Sequence, residues 1–587
     1  MTKRKKFFDQ LLNIGKAYKE YPMTMFLFIL LALVNSWEIA NEFTQYERIL
    51  LTLLLAISLT LLSKPLQQKF FEGRLNQFFL PILSVFLSIL YYFYLPSADS
   101  FYLIANIRTG ILVFTLLIAF IWIPSIKNER RHFYQYFLAT FKALFTTILY
   151  TTILLLGVQA IISAIDYLFF SIDYEYFMHL ANIIGFIIAP SYFLSSMAEI
   201  QKNHMKDIEK DAPSFEVTSL LKTLLNYILI PLIAVYTFVL LIYMIINFGG
   251  ELWKDNLLEP MLISYIILFI LLYLLALNLS GKIANLFKKI FPKILILIVL
   301  FQIIASYLKI NELGLTLGRY YVISFGVFAL IAGFIFSFSS KEKSDLIIPV
   351  FLFLSFLSLL PGISAFALAE KSQKKLLFQT LDKNEMIDQE KLIAKEEISR
   401  QDQEKITSSL EYLEDYGYLK ELNYLPDDFY RYEDFKTTFG FSMTYGERDR
   451  DSSNYHYASL ERTGEEVYDV RKEDYFLELF IENYAESDEI KELEIDGDYS
   501  IQLSNQATYP RIILKDKRAA SVLEVNLEEL FKKVFSEEDS EEIRNQEEMT
   551  LIQENENYRI RILAYELMEN KEEETFNGQL YLFLKIK

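Results

Sequence analysis

Lys222-Thr-Leu-Leu-Asn-Tyr-Ile-Leu-Ile-Pro-Leu-Ile-Ala-Val-Tyr-Thr-Phe-Val-Leu-Leu-Ile-Tyr-Met-Ile-Ile-Asn247 decides the fold class of this chain. Nothing between its first lysine and its final asparagine is charged. A soluble core breaks such runs into shorter pieces, whereas about 20 apolar residues match the hydrocarbon thickness of a bilayer. Immediately upstream lies a basic loop with Lys202, Lys206 and Lys210; the loop downstream carries only Lys254.

Working outward, the same pattern recurs from Met23 to Leu368. Eleven spans are expected near 23–38, 48–63, 77–95, 103–123, 139–165, 177–198, 222–247, 257–279, 291–308, 319–338 and 346–368. Every second loop is basic: Lys64/Lys69/Arg74, Lys127/Arg130/Arg131, Lys202/Lys206/Lys210, Lys282/Lys288/Lys289/Lys293 and Lys341/Lys343. In the intervening loops Arg48, Lys254, Lys309 and Arg319 are the main basic residues. Cytoplasmic loops carry the excess of Lys and Arg, so the N-terminus is expected in the cytoplasm. An odd span count then places the C-terminal part outside the inner (plasma) membrane.

Composition divides the chain in the same place. From Lys371 onward acidic residues exceed basic ones by more than the chain's net charge of −18, which leaves the preceding part mildly positive. The acidic part is large enough to bury its own core. There is no cysteine, so disulfides and thiolate chemistry are excluded. The start, Met1-Thr-Lys-Arg-Lys-Lys6, resembles a signal-peptide n-region, but Trp37-Glu38-Ile39-Ala40-Asn41-Glu42 offers no small-residue cleavage site, so a retained first helix is expected. Residues 1–22 read as a cytoplasmic amphipathic element with Phe7, Phe8, Leu11, Leu12 and Tyr18 on one face. Two readings stand: a helix lying on the anionic inner leaflet, or one packed on neighbouring spans.

The transmembrane bundle takes residues 23–370. A helical stalk is expected over 371–425, with a helical pattern to about residue 400 and a second helix from Asp402 to Tyr416 capped by Gly417. An extracytoplasmic α+β domain follows over 426–587. Its strand signals are 490–495, a turn at Asp496-Gly497, 499–503, 511–514, 549–552, 558–563 and 579–586, with Asn526 capping a helix to Phe535. The fold class is therefore a polytopic α-helical membrane bundle of about eleven spans, followed by a soluble α+β C-terminal domain with a mostly antiparallel sheet.

Several landmarks together resemble the DUF4153 domain family of bacterial integral membrane proteins. They are Arg74-Leu-Asn-Gln-Phe78, Gly314-Leu-Thr-Leu-Gly-Arg-Tyr-Tyr321, Ser372-Gln373 and Ile406-Thr-Ser-Ser-Leu-Glu-Tyr-Leu-Glu-Asp-Tyr-Gly417. The resemblance covers most of the chain and implies a multi-span bacterial membrane protein. It brings no established activity, substrate or site.

Ionisable groups within spans are expensive and often functional. Glu38, Arg108, Asp166 and Arg319 would share one depth near the outer face and line a polar vestibule; their other reading is structural ion pairing or snorkelling to headgroups. His179, Asn182, Pro190 and Glu199 on one span suggest a proton relay or a kink, and Pro231 beside Asn226 suggests freed carbonyls or, again, a kink. Asp166, Asp173 and Glu175 form an acidic outer loop of the kind a lipid-linked-substrate enzyme uses. In the tail, Asp496-Gly-Asp498, the run Glu537–Glu542 and the lone His456 lack metal-ligand spacing, so no metal and no cofactor is expected. The basic loops are accounted for by topology, which leaves no nucleic-acid surface. The expected partners are the lipid bilayer and, through the C-terminal domain, envelope proteins or lipids. The leading functional expectation is a membrane-anchored sensor or accessory protein; a transporter or lipid permease and a membrane enzyme are the alternatives.

Overall fold

Backbone polar groups in hydrocarbon find partners only inside their own segment, so apolar runs of this length form helices. The computed structural model of the chain describes residues 15–41, 46–71, 76–95, 102–126, 133–205, 216–246, 258–388, 391–426, 429–444, 455–460, 470, 473–483, 491–496, 498–504, 509–518, 520–535, 541–570 and 575–587. It divides into two compact units, Met1–Ser442 and Met443–Lys587.

In the first unit, α1 (Gly15–Glu20) precedes α2 (Pro22–Asn41), α3 (Glu47–Phe70), α4 (Phe79–Tyr94), α5 (Tyr102–Trp122) and the long α6 (Phe133–Leu168). Then come α7 (Tyr174–Ile183) and α8 (Ala189–Met205), joined by a π turn at Ile184–Ile188, and α9 (Ser219–Leu224) and α10 (Ile230–Ile246), joined by another at Leu225–Leu229. α11 (Leu258–Ala276), α12 (Lys282–Leu313), α13 (Leu317–Phe338) and α14 (Ile347–Leu357) complete the apolar part.

Among the described residues, eight helices are long and apolar enough to cross a membrane, counting each π-joined pair as one. Three of the eleven expected spans are met by something shorter. Two are the apolar helices Phe79–Tyr94 and Pro260–Ala276. The third, expected over 346–368, is the 11-residue α14, about 16 Å long at 1.5 Å per residue. Pro361 and Gly362 (φ +81°) end that run, because a proline cannot donate to a helix and disfavours helical backbone before it.

The helix ends gather in two sets. In one, Tyr21, Leu62, Ile123, Tyr136 and Ile200 share a core, so α1 and the ends of α3, α5, α6 and α8 meet. The α11–α12 turn joins them, with Asn278 Nδ2 donating to the Tyr134 carbonyl at 3.2 Å. Lys341 lies 5.8 Å from the Tyr134 ring. In the other set, Asn106 of α5 donates to Glu47 at the start of α3, and Leu317 packs with Phe366, Ile104 and Leu359. The described part of the N-terminal element packs on its neighbours: the Ala17 amide donates to Ser195 Oγ at 3.2 Å and the Tyr21 hydroxyl to Gln201 Oε1 at 2.8 Å. Phe7, Phe8, Leu11 and Leu12 lie outside the described residues.

The region expected as a stalk belongs to the same compact unit as the bundle. α15 (Ala365–Lys383) stops at Asn384, short of the expected helical pattern to 400, and a two-residue strand pair follows, β1 (Ile387–Asp388) with β2 (Lys391–Leu392). The fully buried Met386 pulls the chain inward there. Then α16 (Arg400–Asp415) packs on α15, and α17 (Arg431–Phe439) completes the unit. α16 ends in a Schellman motif: Gly417 (φ +74°) donates to Glu414 O and Tyr418 to Leu413 O.

The second unit holds β3 (Tyr455–Leu460), β4 (Tyr475–Asn483), β5 (Lys491–Asp496), β6 (Tyr499–Ser504), β7 (Arg511–Asp516), β8 (Ser521–Asn526), α18 (Glu528–Val534), β9 (Glu541–Arg544), β10 (Thr550–Glu554), β11 (Tyr558–Asn570) and β12 (Thr575–Ile586). One sheet runs β4-β12-β11-β3-β9 with β10 also on β11; the other is the meander β5-β6-β7-β8. Among the described residues all pairings are antiparallel except β3 with β9. β11 serves two partners along one edge, β10 before its bulge near Ala564 and β3 after it. Alternating residues of both sheets, such as Ile501 and Ile512 from one and Ile562 and Leu582 from the other, form a single core with Phe531 of α18. The N-cap position of that helix is Leu527, one residue past the expected Asn526, whose Oδ1 still accepts the Glu528 amide at 3.0 Å.

Candidate functional site

A helix leaves amides without partners at its start and carbonyls at its end, and the turn between α12 and α13 brings one end of each kind together. Gly314 (φ +70°) makes the turn possible. A Cβ there would also lie 2.8 Å from Gln373 Nε2. Thr316 Oγ1 accepts the Arg319 amide at 3.3 Å and caps α13. Arg319 turns back, its Nη1 donating to Leu313 O at 3.3 Å and Gly314 O at 3.0 Å. A cation over the last carbonyls of a helix complements the negative end of its dipole.

Side chains of α15 and α16 satisfy the rest of that turn. Gln373 Nε2 donates to Leu313 O at 3.0 Å and Leu315 O at 3.2 Å, while its Oε1 accepts Ser409 Oγ at 3.1 Å. Ser372 Oγ accepts the Leu315 amide at 2.9 Å, and Tyr412 OH accepts the Leu317 amide at 3.2 Å. Gln373 and Ser409 are buried. Three stretches far apart in the chain thus form one polar seat, in which the α15–α16 hairpin grips the α12–α13 turn.

Arg108 borders the same seat. It donates to Tyr94 OH, and its guanidinium carbon lies 5.4 Å from the Tyr94 ring and 5.1 Å from the Phe366 ring at the start of α15. Phe366 in turn packs on Leu317, Ile107 and Tyr416. Beyond it, Lys374 bonds Glu370 at 2.8 Å and also Glu421. Burial alone would lower the Lys374 pKa; the two carboxylates outweigh it and leave it raised. Burial pushes the Tyr418 hydroxyl up to about 12, with Glu370 adding to the rise and the Arg108 charge opposing it.

The structure therefore brings Arg108 and Arg319 to one seat. Glu38 sits half-buried in the last turn of α2. Asp166 is exposed and accepts the Ile172 amide at 2.6 Å, while Asp173 caps α7 by accepting the Glu175 amide at 3.3 Å. Two carboxylates of the acidic loop thus serve the backbone. Gln373, Ser409 and Tyr412 were not singled out as site residues; the one sequence signal for them was their place in the family-like stretches.

The prolines are absorbed locally. Pro190 has no amide for the Phe186 carbonyl and Pro231 none for Tyr227, and both carbonyls fall inside the wide π turns. Both helices continue past them. Asn182 is a clip between α7 and α2: its Nδ2 donates to Ala32 O and Ser36 Oγ, each at 2.7 Å, and its Oδ1 accepts Asn35 Nδ2 at 3.0 Å. Asn226 donates to Lys222 O within its own helix. His179 lies half-exposed in α7. Among the described residues no three His, Asp or Glu converge as a metal site. The polar atoms of the seat are spent on one another, which makes it a joint between elements.

The family model described as a domain of unknown function, DUF4153, matches residues 25–369. No curated protein and no solved structure matches the chain. The matched stretch runs from α2 into the first turns of α15 and ends three residues before Ser372 of the seat. With more than half of its length matched, the chain belongs to the DUF4153 family.

Proposed function

We propose that this is a multi-pass protein of the bacterial inner membrane that acts as a sensor or accessory protein, its C-terminal part binding an envelope partner and its bundle serving as platform. The observation that carries this reading is the seat. A hairpin outside the spans grips the turn between two spans through Gln373, Ser372, Ser409 and Tyr412, so force or displacement at one has a direct path to the other. A free tether would need no such joint. The second unit adds a module with its own core.

Eleven crossings, with a cytoplasmic N-terminus, fit the two sets of helix ends. The short α14 leaves the lysine-bearing end at Lys341–Leu346 and finishes where Ser358 Oγ lies 3.5 Å from Tyr321 OH, one turn into α13 from the seat. Cysteine labelling tests the orientation, since the chain has no cysteine of its own. Ser521→Cys in β8 reacts with a membrane-impermeant maleimide in whole cells, and Ser339→Cys after α13 reacts only after lysis. The reverse pattern refutes the orientation. The functional reading is tested by complementing a deletion strain with the full chain and with a chain ending at Ser442. The shortened chain is expected to insert normally and fail to restore the phenotype; full rescue by it removes the role of the C-terminal unit.

A further inference from the structure

We propose that the lysine-bearing end of the bundle holds a pocket for the headgroup of an anionic phospholipid. The pocket has a volume of about 330 Å³ and is lined by Glu216, Val217, Lys222, Asn278, Leu279 and Ser280. One wall is the entry to α9, the other the α11–α12 turn. That size falls within the range of small-ligand sites.

Both walls are pinned by lysines whose ammonium groups bond backbone carbonyls. Lys142 Nζ donates to Glu216 O at 2.9 Å, and Lys288 Nζ donates to Leu279 O at 2.8 Å. Lys341 approaches the same turn from the Tyr134 side. Lys222 differs: among the described residues no hydrogen bond or ion pair engages its ammonium group. It is thus the lysine at the pocket still able to meet a phosphate. One amide hydrogen of Asn278 is held by Tyr134 O, which leaves its second hydrogen as a donor. The exposed Ser280 hydroxyl supplies another.

Glu216 decides the rest of the headgroup. An acceptor beside the phosphate donors favours a headgroup that carries hydroxyls; Lys222 at the pocket, with the still-charged Lys142 and Lys288 bonded to its walls, outweighs that one carboxylate, so the net preference is for an anion. A glycerol phosphodiester fits both demands. The helices that leave the pocket carry apolar surface for acyl chains: Leu220 is 78% exposed on α9, and Ile283 and Leu286 are 41% and 57% exposed on α12. A free phosphate would gain nothing from them. Basic pockets between transmembrane helices bind acidic lipid headgroups in this way.

The test is native mass spectrometry of the full chain in detergent with added phosphatidylglycerol, phosphatidylethanolamine or phosphatidylcholine. Phosphatidylglycerol is expected to be retained at one saturable site ahead of the other two. Lys222→Ala is expected to weaken it about fivefold, the worth of one lysine at an anionic surface. Ser280→Phe, which fills the pocket, abolishes the site. Lys289→Ala removes an equal charge from an exposed position on α12 and leaves retention within about twofold of wild type. Equal retention of the three lipids, equal losses in the two lysine variants, or displacement of the lipid by millimolar inorganic phosphate overturns the proposal. This inference needs only that the bundle lies in a membrane, so its failure leaves the sensor reading standing.

Discussion

Replacing Gln373 by alanine should unlock the hairpin from the bundle. The side chain is 2% exposed and makes three hydrogen bonds, two donated to carbonyls of the α12–α13 turn and one accepted from Ser409. Each is worth about 0.5–1.5 kcal/mol net; the Ser409 hydroxyl left behind is buried and the two carbonyls belong to half-buried residues, so little of the loss is recovered from water. Arg319 still covers Leu313 O, so the loss is less than a full sum; about 2–3 kcal/mol is expected. That corresponds to local opening on the order of 30- to 150-fold more frequent. Amide exchange reads it directly, because the Leu315 and Leu317 amides are held by Ser372 Oγ and Tyr412 OH across the joint. Ser408→Ala, an exposed hydroxyl one residue from Ser409 that bonds only its own helix, should change nothing. Unaltered exchange at Leu315 and Leu317 in Gln373→Ala would refute the claim that these bonds hold the hairpin.

Asp402 anchors the start of α16 by bonding Lys383, Ser399 and Asn384. Burial pushes its pKa up, but those three partners outweigh burial and hold it below the ordinary carboxylate value. Its contribution is therefore complete above about pH 4 and is lost as pH falls further; hydrogen exchange in α16 should rise in acid, and Asp402→Asn should remove that acid dependence. In the second unit Tyr509 OH donates to the buried Glu569 at 2.7 Å, and burial with that carboxylate raises its pKa. The bond stabilises below about pH 10 and fails as pH climbs beyond it; Tyr509→Phe should cost about 1–3 kcal/mol of that unit's stability in thermal unfolding. Arg431 is buried against Glu411 at 2.9 Å and Glu414. Arg431→Lys keeps the charge but not the fork that meets both carboxylates, so α17 should loosen from α16 by about 1 kcal/mol in exchange measurements.

Much of the first unit was legible because hydropathy and helix chemistry are local. The runs around 103–123 and 319–338 became helices within two residues of the sequence estimate, and Gly417 closed its helix as its position after Tyr416 suggested. Breaks inside apolar or helical patterns were harder. Pro361-Gly362 is visible in the sequence, yet an apolar run on both sides hides that the helix stops there. α15 ends at Lys383 because Met386 is buried, a tertiary fact with no local signature. In the second unit Tyr499–Ser504 alternates apolar with polar residues and Arg511–Asp516 holds the short apolar run Ile512-Ile513-Leu514, and both patterns mark strands. β3 carries no such mark, since Tyr455–Leu460 lies within residues 427–475, a stretch so aromatic and charged that no period stands out. The seat was least legible of all. The bonds between its three stretches join residues 36 to 95 positions apart, and no periodicity reports a contact of that kind.

Whether the bundle and the seat move as one body depends on how tightly α12 and α13 are joined along their length. Their closest approach uses small residues: a Cβ on Gly333 would come within 2.7 Å of Ile296 Cγ1, and one on Gly326 within 3.0 Å of Ile303 Cγ1. Such contacts let helices in a membrane pack closely without any hydrophobic drive. Between these glycines and the seat, the buried Gln302 donates to Val322 O at 3.0 Å and ties the pair again. Gly333→Val must therefore push the two helices apart at a point about 24 Å from Leu317 along α13. If the pair is rigid, the splay reaches the turn, strains the bonds to Gln373 and Tyr412, and raises exchange at Leu315 as Gln373→Ala does. A variant that melts earlier yet keeps wild-type protection at Leu315 would show that strain stops at Gln302. The seat would then be a latch on the end of the bundle, with no path from it to the interior of the membrane.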